Sequence, residues 1–415
     1  MHILFISEYY PPKIKGGGEI NLSTLAKALA KSEHIVSILT SQFPNLPVFE
    51  EQDGVKIYRR LKTGENPGSL SSNIVRSLLF PSSVQKEIKK LTSEINPDII
   101  HFIGTSIIAA PELKSLHKPL FATIESYPTL CPKGDRFYHG KEECKITCTF
   151  TQFASCQKDS DEIGKMKNKW YFKYNLFFLA YTYNYYKKLN LALSSCTLIS
   201  ISKYVQQLLL QQNHQSTVIP NILDVKPFLV AKKKIQEKAA EKEDKKEKKV
   251  HILYLGSLIK SKGPQILLEA LKGIDCRCDL YGEGNLKQEL QEYIQKNNLD
   301  AEIHPQVSYD QIPELYAQTD IVVFPSIWPE PFGRIAIEAQ AAGKVVVASE
   351  IGAIKEIVGE KGLLVAPGDS DGLKKSILFL TQNKQNFHPS SIQAYSLNSI
   401  RKKLIAVYEQ AKALN

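Results

Sequence analysis

The opening of the chain constrains the fold more than any other feature. His2-Ile3-Leu4-Phe5-Ile6-Ser7 is a short apolar run without polar alternation. Such a run reads as a strand buried on both faces, the habit of parallel sheets. It leads into Tyr10-Pro11-Pro12-Lys13-Ile14-Lys15-Gly16-Gly17-Gly18-Glu19, which reads as a loop because its prolines and glycines oppose a helix. From Ile20 onward, Leu22, Leu25, Ala26 and Leu29 recur at three- and four-residue spacing, so an amphipathic helix is predicted, with Asn21 and Ser23 near its start. A second strand is predicted at Ile35–Thr40. Strand, glycine-rich loop, helix and strand form a βαβ unit. The predicted class is therefore α/β, a parallel sheet with helices on both faces.

Further strands fit Ile99–Ile103, Leu120–Ile124 and Thr197–Ile201, the last followed by a helix over Lys203–Gln212. The stretch Ala231–Lys249 differs, with nine lysines and five acidic residues and almost no large apolar side chain. It cannot build a core and reads as a solvated helix or linker. After it the pattern restarts. Strands are predicted at Val250–Leu255, Cys278–Tyr281, Ile321–Phe324 and Val345–Ala348, and helices at Gln265–Leu271, Leu286–Asn297 and Ile335–Ala342. A chain of 415 residues exceeds what one core normally supports. The expected organisation is a first domain over 1–226, a charged linker over 227–249 and a second doubly wound domain over 250–390. A C-terminal helix over 391–415 could cross back to the first domain.

Composition narrows the class. The apolar fraction of 43% and charged fraction of 23% are those of an ordinary soluble chain and exclude a disordered or collagenous one. The net charge of +10 favours anionic partners, such as nucleotides, phosphate-bearing substrates or an acidic membrane surface, and no nucleic-acid motif accompanies it. Seven cysteines are too few for a disulfide scaffold, so a reducing, cytoplasmic setting is expected. The N-terminal run is too short for a secretory signal, and no transmembrane run is present. Trp170–Asn190 is densely aromatic and flanked by lysines. A long helix packing its aromatics on the first domain is favoured over an interfacial helix, because tyrosines lie all around it.

Two segments carry chemistry. Gly16-Gly17-Gly18 stands between a strand and a helix, where backbone N–H groups can approach a phosphate; alone it is equally an ordinary turn. It matches neither the dinucleotide fingerprint nor the P-loop. The stronger segment runs Pro325-Ser326-Ile327-Trp328-Pro329-Glu330-Pro331-Phe332-Gly333-Arg334-Ile335-Ala336-Ile337-Glu338, then Ala339-Gln340-Ala341-Ala342-Gly343. Two prolines hold Glu330 in a loop, and Gly333 opens a helix whose first N–H groups can face an anion. Glu338 lies on the first turns of that helix. Two carboxylates beside an anion-binding crevice suit the hydroxyls of a sugar or ribose.

This segment resembles the retaining glycosyltransferases of family 4, which have the GT-B fold. The resemblance rests on the Glu330/Glu338 pair within E-P-F-G-R and E-A-x-A-x-G, and on the P-P-x(3)-G-G loop Pro11–Gly17. It also rests on Ile219-Pro220-Asn221, Leu255-Gly256-Ser257 through Lys262-Gly263, and Tyr281-Gly282-Glu283-Gly284. It implies two Rossmann-like, doubly wound parallel-sheet domains facing a cleft, the second binding a nucleoside-diphosphate sugar and the first the acceptor. It further implies that Glu338 binds the ribose hydroxyls, and that Glu330 with the Phe332/Gly333 backbone holds the donor sugar. Lys262 would neutralise the diphosphate, which Gly16 and Gly17 would meet from the other domain. Arg334 and Ile335 complete the implied donor set. No cofactor is expected beyond the donor co-substrate, and no catalytic metal, because a lysine and helix N-termini supply the positive field.

The chain departs from the resemblance twice. Ser257 stands where Gly-Arg is usual, removing a bidentate diphosphate contact that Lys260 could replace only as a point charge. Glu125, in Thr123-Ile124-Glu125-Ser126, stands where a histidine is frequent, and it joins Glu330 as a candidate catalytic residue. The expected function is transfer of a hexose from a nucleotide sugar to a lipid-linked or glycan acceptor in cell-surface polysaccharide or glycolipid assembly. Peripheral contact with an anionic membrane at its inner face would accompany it. The two departures motivate an alternative, a nucleotide-sugar-binding scaffold with a decayed site. Two features remain outside this reading. Cys131, Cys144, Cys148 and Cys156 have spacings of twelve, three and seven intervening residues, which favour buried or free thiols over a structural zinc site or disulfides. His101, at the end of its strand, reads as a core histidine rather than a catalytic one.

Overall fold

The computed structural model describes residues 1–64, 70–158, 174–240, 249–359, 362–382 and 392–413, with side chains from 76 in the second of these segments and up to 237 in the third. The chain divides into two compact units, Met1–Ile222 with Leu397–Asn415, and Leu223–Ser396. Each is a parallel α/β layer structure of its own.

The first unit contains strands β1 (His2–Ile6), β2 (Ile35–Ser41), β3 (Phe49–Gln52), β4 (Val55–Leu61), β5 (Ile99–Ile103), β6 (Leu120–Ile124), a short hairpin of β7 (Phe137–Tyr138) and β8 (Glu142–Glu143), β9 (Thr197–Ser200) and β10 (Ser216–Val218). The large sheet has the order β10-β9-β6-β5-β1-β2-β4-β3, and only β3 runs antiparallel, pairing with β4. β1, β5 and β6 are nearly continuous apolar runs because helices cover both faces. Helix Gly17–Ala30 buries Leu22, Leu25, Ala26 and Leu29, the periodic set read from the sequence. The helix Leu397–Ala413 belongs to this unit, and its Tyr408 ring packs on Phe121 at 4.8 Å.

The second unit contains β11 (Val250–Leu255), β12 (Cys276–Tyr281), β13 (Ala301–His304), β14 (Ile321–Phe324), β15 (Val345–Ser349) and β16 (Leu363–Val365), ordered β13-β12-β11-β14-β15-β16 and parallel throughout. Its core gathers Ile252, Leu267, Leu280, Val323, Val347 and Ile377.

One expectation is narrowed and one needs correction. Of the stretch read as a solvated helix or linker within 227–249, the part up to Ala240 lies in a helix, Lys226–Ala240, and this helix belongs to the second unit. Phe228 and Ala231 form one buried stripe at its start, with the Phe228 ring 6.0 Å from that of Tyr316. The surrounding lysines concealed that stripe. Within the aromatic stretch Trp170–Asn190, residues up to 173 lie outside the described ones. The following helix, Leu176–Leu193, does bury Leu179, Tyr186 and Leu189. Its first turns do not pack as expected, since Phe177 is 91% exposed and Leu176 and Tyr181 are exposed too. Among the described residues no helix is long and apolar enough to cross a membrane.

Candidate functional site

In the second unit the strand order reverses between β11 and β14. Ligand crevices of open α/β sheets form outside the carboxyl ends of strands at such a reversal. The loop after β11 carries Lys262 and the loop after β14 carries Glu330. The two loops touch backbone to backbone. The Ser261 carbonyl accepts the N–H groups of Ile327 at 2.9 Å and Trp328 at 3.1 Å. Gly263 has φ +74°, and a Cβ there would fall 1.9 Å from the Pro325 carbonyl oxygen, so any side chain would pry the loops apart.

This packing brings Lys262 and Glu330 together. Lys262 Nζ donates to Glu330 Oε1 at 2.5 Å and lies 4.0 Å from the Trp328 ring centroid. Glu330 is buried, and its carbonyl accepts the Ala353 N–H at 2.8 Å. Gly333, at φ +97°, is the N-cap of helix Arg334–Ala341 and, being glycine, offers no side chain to cap that end. The first-turn amides of Arg334 and Ile335 therefore add positive potential beside the pair. Phe332 turns its ring into the core, 5.9 Å from Tyr395, which leaves its backbone as the part able to meet a ligand.

Glu338 is the centre of a second network. Its Oε1 accepts from Tyr309 Oη at 2.8 Å and from Arg334 Nε at 2.8 Å, and its Oε2 accepts from Tyr316 Oη at 3.3 Å. Arg334 Nη2 donates to Tyr309 Oη at 2.7 Å. Burial would lower the Arg334 pKa, but Glu338 and Tyr309 more than offset this and raise it. Burial, then the Glu338 charge, raises that of Tyr309. Arg334 Nη1 is buried with no partner among the described residues. The two carboxylates read as acceptors for sugar or ribose hydroxyls are thus each paired with a cation of the chain. Sequence reasoning missed Tyr309, whose only signal would have been a tyrosine shortly before β14. Ser257 is exposed, and its carbonyl accepts from Tyr254 Oη at 2.9 Å. The loop after β11 is also tied to the loop after β12 by Leu258 N–H donating to Glu283 O at 2.9 Å.

The first unit has its own reversal, between β1 and β5. The glycine run was expected as loop, with the helix beginning near Ile20, yet the helix begins at Gly17. Glu19 explains this, because its Oε2 accepts the N–H groups of Gly16 at 2.9 Å and Lys15 at 3.3 Å, closing the first turn. The Gly16 amide proposed for phosphate is therefore held by a carboxylate of the chain itself. Gly16 has φ −170°, and a Cβ there meets nothing within 4 Å, whereas one on Gly18 would fall 2.6 Å from Glu125 Oε2. Glu125 sits against the amino end of this helix, and its Oε1 accepts from Asn21 Nδ2 at 3.0 Å. A carboxylate there is favoured by the helix dipole.

The sequence reading also missed Glu8 and Arg76 in this unit. Arg76 donates to Glu8 through Nε at 2.6 Å and Nη2 at 2.5 Å, and Thr63 Oγ1 adds 2.6 Å. Burial pushes the Glu8 pKa up, but Arg76 and Thr63 more than offset it and hold the carboxyl below its usual range. Burial, then the Arg76 charge, lowers Lys15 to about 8, and its Nζ lies 3.7 Å from the Tyr9 ring centroid. Glu8 follows directly on β1, a visible signal, but Arg76 lies on helix Leu70–Ile95, which the sequence reading did not foresee. His101 was expected at a strand end and instead sits in the middle of β5, fully enclosed. Its Nε2 pairs with Thr123 Oγ1 at 2.8 Å and its Nδ1 with Tyr408 Oη, and burial alone lowers its pKa to about 3. It is a neutral core histidine.

Comparison with known proteins agrees with this geometry. Residues 15–226 match the family model described as Glycosyltransferase Family 4, and residues 235–395 match Glycosyl transferases group 1. An uncharacterized glycosyltransferase of Methanocaldococcus jannaschii is 24% identical over 99% of this chain and 98% of its own length. Another from the same organism is 35% identical, over 32% of this chain and 38% of its own length. Among solved structures, sucrose-phosphate synthase of Thermosynechococcus elongatus has a TM-score of 0.73 at 20% identity, covering 100% of both chains. An Anabaena protein in complex with UDP, HepE, has a TM-score of 0.66 at 18% identity, covering 99% of this chain and 100% of its own. These likenesses carry the GT-B fold. With two parallel α/β units, a reversal of strand order in each sheet and family models covering both halves, the chain belongs to the glycosyltransferases.

Proposed function

We propose that the chain is a retaining hexosyltransferase that takes its sugar from a nucleoside diphosphate. One observation carries this reading, the Lys262–Glu330 pair at the β11/β14 reversal beside an uncapped helix start. An arriving diphosphate competes for the Lys262 ammonium and for the amides of Arg334 and Ile335. Glu330, released from Lys262, can then accept a hydroxyl of the donor sugar. In transfer the bond from the anomeric carbon to the diphosphate oxygen breaks, its electron pair leaves on the phosphate, and an acceptor hydroxyl bonds to that carbon and releases its proton to solvent. The fixed lysine and helix start stabilise that charge as it develops. Arg334, with one buried donor unpartnered, is proposed as a further anion contact, and Glu338 holds it in place while accepting ribose hydroxyls. We assign Glu125 to positioning the start of its helix, given its hold on Asn21. The UDP bound by the Anabaena protein makes uridine the first base to test.

The proposed acceptor is lipid-linked or a glycan of the cell surface. The exposed Leu176, Phe177 and Tyr181 lie on the first turns of one helix, and Tyr181 Oη donates to the carbonyl of Ser77 at 2.9 Å, next to exposed Leu78 and Leu79. This apolar face and the +10 charge support peripheral contact with an anionic membrane. The test is a thermal-shift screen of UDP, GDP and ADP, followed by donor hydrolysis with the matching sugars. One nucleotide should raise Tm with concentration and its sugar donor should turn over. Binding without turnover of any donor would favour the scaffold alternative, and absence of any shift would contradict both.

A further inference from the structure

The four cysteines that the proposed function leaves unused converge on one place in the first unit. Cys131 follows the turn after β6, Cys144 follows β8, Cys148 lies in the next loop, and Cys156 is on helix Phe150–Lys158. All four line a single cavity of about 20 Å³, walled by Phe137 and Phe153. All seven cysteines of the chain are free thiols.

Polar groups of the same loop surround these sulfurs. The Gly134 N–H donates to the Cys131 carbonyl at 2.9 Å, closing a tight turn with Gly134 at φ +83°. The His139 N–H adds a bond to Cys156 Sγ at 3.2 Å. Two cations lie in the same loop. The Lys133 side chain is 3% exposed and lies 3.3 Å from Asp135. Arg136 is buried, donates to the Cys144 carbonyl, and has a buried Nε without a partner among the described residues. Asp135 balances Lys133, which leaves Arg136 as the net positive charge of the loop. A divalent cation held by four thiolates carries a net charge of −2, which Arg136 offsets in part.

We propose that Cys131, Cys144, Cys148 and Cys156 bind one structural zinc ion. The cavity has room for one ion and not for an iron–sulfur cluster. Tetrahedral zinc with bonds of about 2.3 Å needs sulfurs about 3.8 Å apart. No three of the four sulfurs yet lie within 4.8 Å of one another. The thiols of Cys144, Cys148 and Cys156 lie 3.9, 3.5 and 3.9 Å from the carbonyls of Ile146, Thr149 and Phe137. Binding breaks four S–H bonds, releases four protons to solvent and forms four Zn–S bonds, so those carbonyl contacts are lost and the sulfurs swing inward. The site would staple the segment that follows β6 without entering the transfer chemistry.

The test uses the full chain. Purified from zinc-replete cells, it should carry about one zinc per chain by elemental analysis. After chelation, cobalt(II) should restore the visible bands of a tetrahedral thiolate site, saturating at one equivalent. Cys148→Ser, at the most exposed of the four, should weaken zinc binding more than tenfold. Cys276→Ser, in the other unit, should leave it unchanged. Zinc far below one per chain together with no cobalt thiolate bands would overturn the proposal without reliance on any variant. Iron with acid-labile sulfide in place of zinc would overturn it as well.

Discussion

Replacing Glu338 with alanine should cost stability first and nucleotide binding second. The carboxylate is 3% exposed and takes three hydrogen bonds, from Arg334, Tyr309 and Tyr316. Its removal leaves the buried Arg334 guanidinium without its counter-charge and the Tyr309 hydroxyl without its acceptor, while Tyr316 Oη keeps the Ile335 carbonyl at 3.2 Å. Breaking a buried pair from one side costs about 3–5 kcal/mol, most of it the uncompensated charge. For a unit the size of Leu223–Ser396 that corresponds to a fall in Tm of about 6–20 °C. The double variant Glu338→Ala/Arg334→Met removes the stranded charge and should recover much of the loss, so the two substitutions should be strongly non-additive. Differential scanning calorimetry of the single and double variants measures this directly. An unchanged Tm in Glu338→Ala, or additive losses in the pair, would show that Glu338 does not hold Arg334 in place.

Three further outcomes follow. Ser257→Arg should tighten nucleoside-diphosphate binding by about 1–2 kcal/mol in calorimetry, because Ser257 is exposed at the loop beside Lys262 and arginine brings a fork of donors; weakened binding would show a loop shaped for a different donor. Lys262→Ala should reduce diphosphate affinity and leave nucleoside affinity nearly unchanged, since the nucleoside lacks the charge that lysine meets; equal losses for both would place Lys262 in the base pocket. Lys15 should lose its proton near pH 8, well before ordinary lysines. The folded chain then holds fewer protons than the unfolded one between pH 8 and 10.5, so this residue's penalty is full below pH 8 and fades as pH rises. Lysine side-chain NMR showing Lys15 titrating with the others would contradict it.

The strands were legible because parallel strands covered on both faces must be short apolar runs. Ile99–Ile103, Leu120–Ile124, Val250–Leu255 and Ile321–Phe324 were read to the residue. The helix starts were harder. At Gly17 a glutamate two residues on closes the turn, a contact between side chain and backbone that glycine content conceals. The packing of the lysine-rich helix Lys226–Ala240 on the second unit was hidden because Phe228 and Ala231 are too few to show against its charge. Within the site, Glu330, Gly333 and Glu338 stood out because they lie within nine residues of one another. Lys262 stood out only through the family's loop pattern and Tyr309 not at all, since both come from loops after other strands and their contacts with the two carboxylates join positions far apart in sequence. The gathering of the cysteines was not legible for a related reason. Cys131, Cys144, Cys148 and Cys156 line one cavity only once the β7–β8 hairpin folds back, which no local spacing rule registers.

The central claim is that Glu330 serves the sugar in transfer while Lys262 serves the diphosphate. Glu330→Gln tests it most directly, with nucleoside-diphosphate affinity by calorimetry and donor turnover measured on the same preparation. The substitution keeps the shape of the side chain and releases Lys262 from its charged partner. Diphosphate affinity should hold or tighten, while turnover falls by roughly two or more powers of ten, because the lost charge acts in the transition state. Affinity and turnover falling together by the same factor would contradict the account and make Glu330 a residue that only shapes the loop.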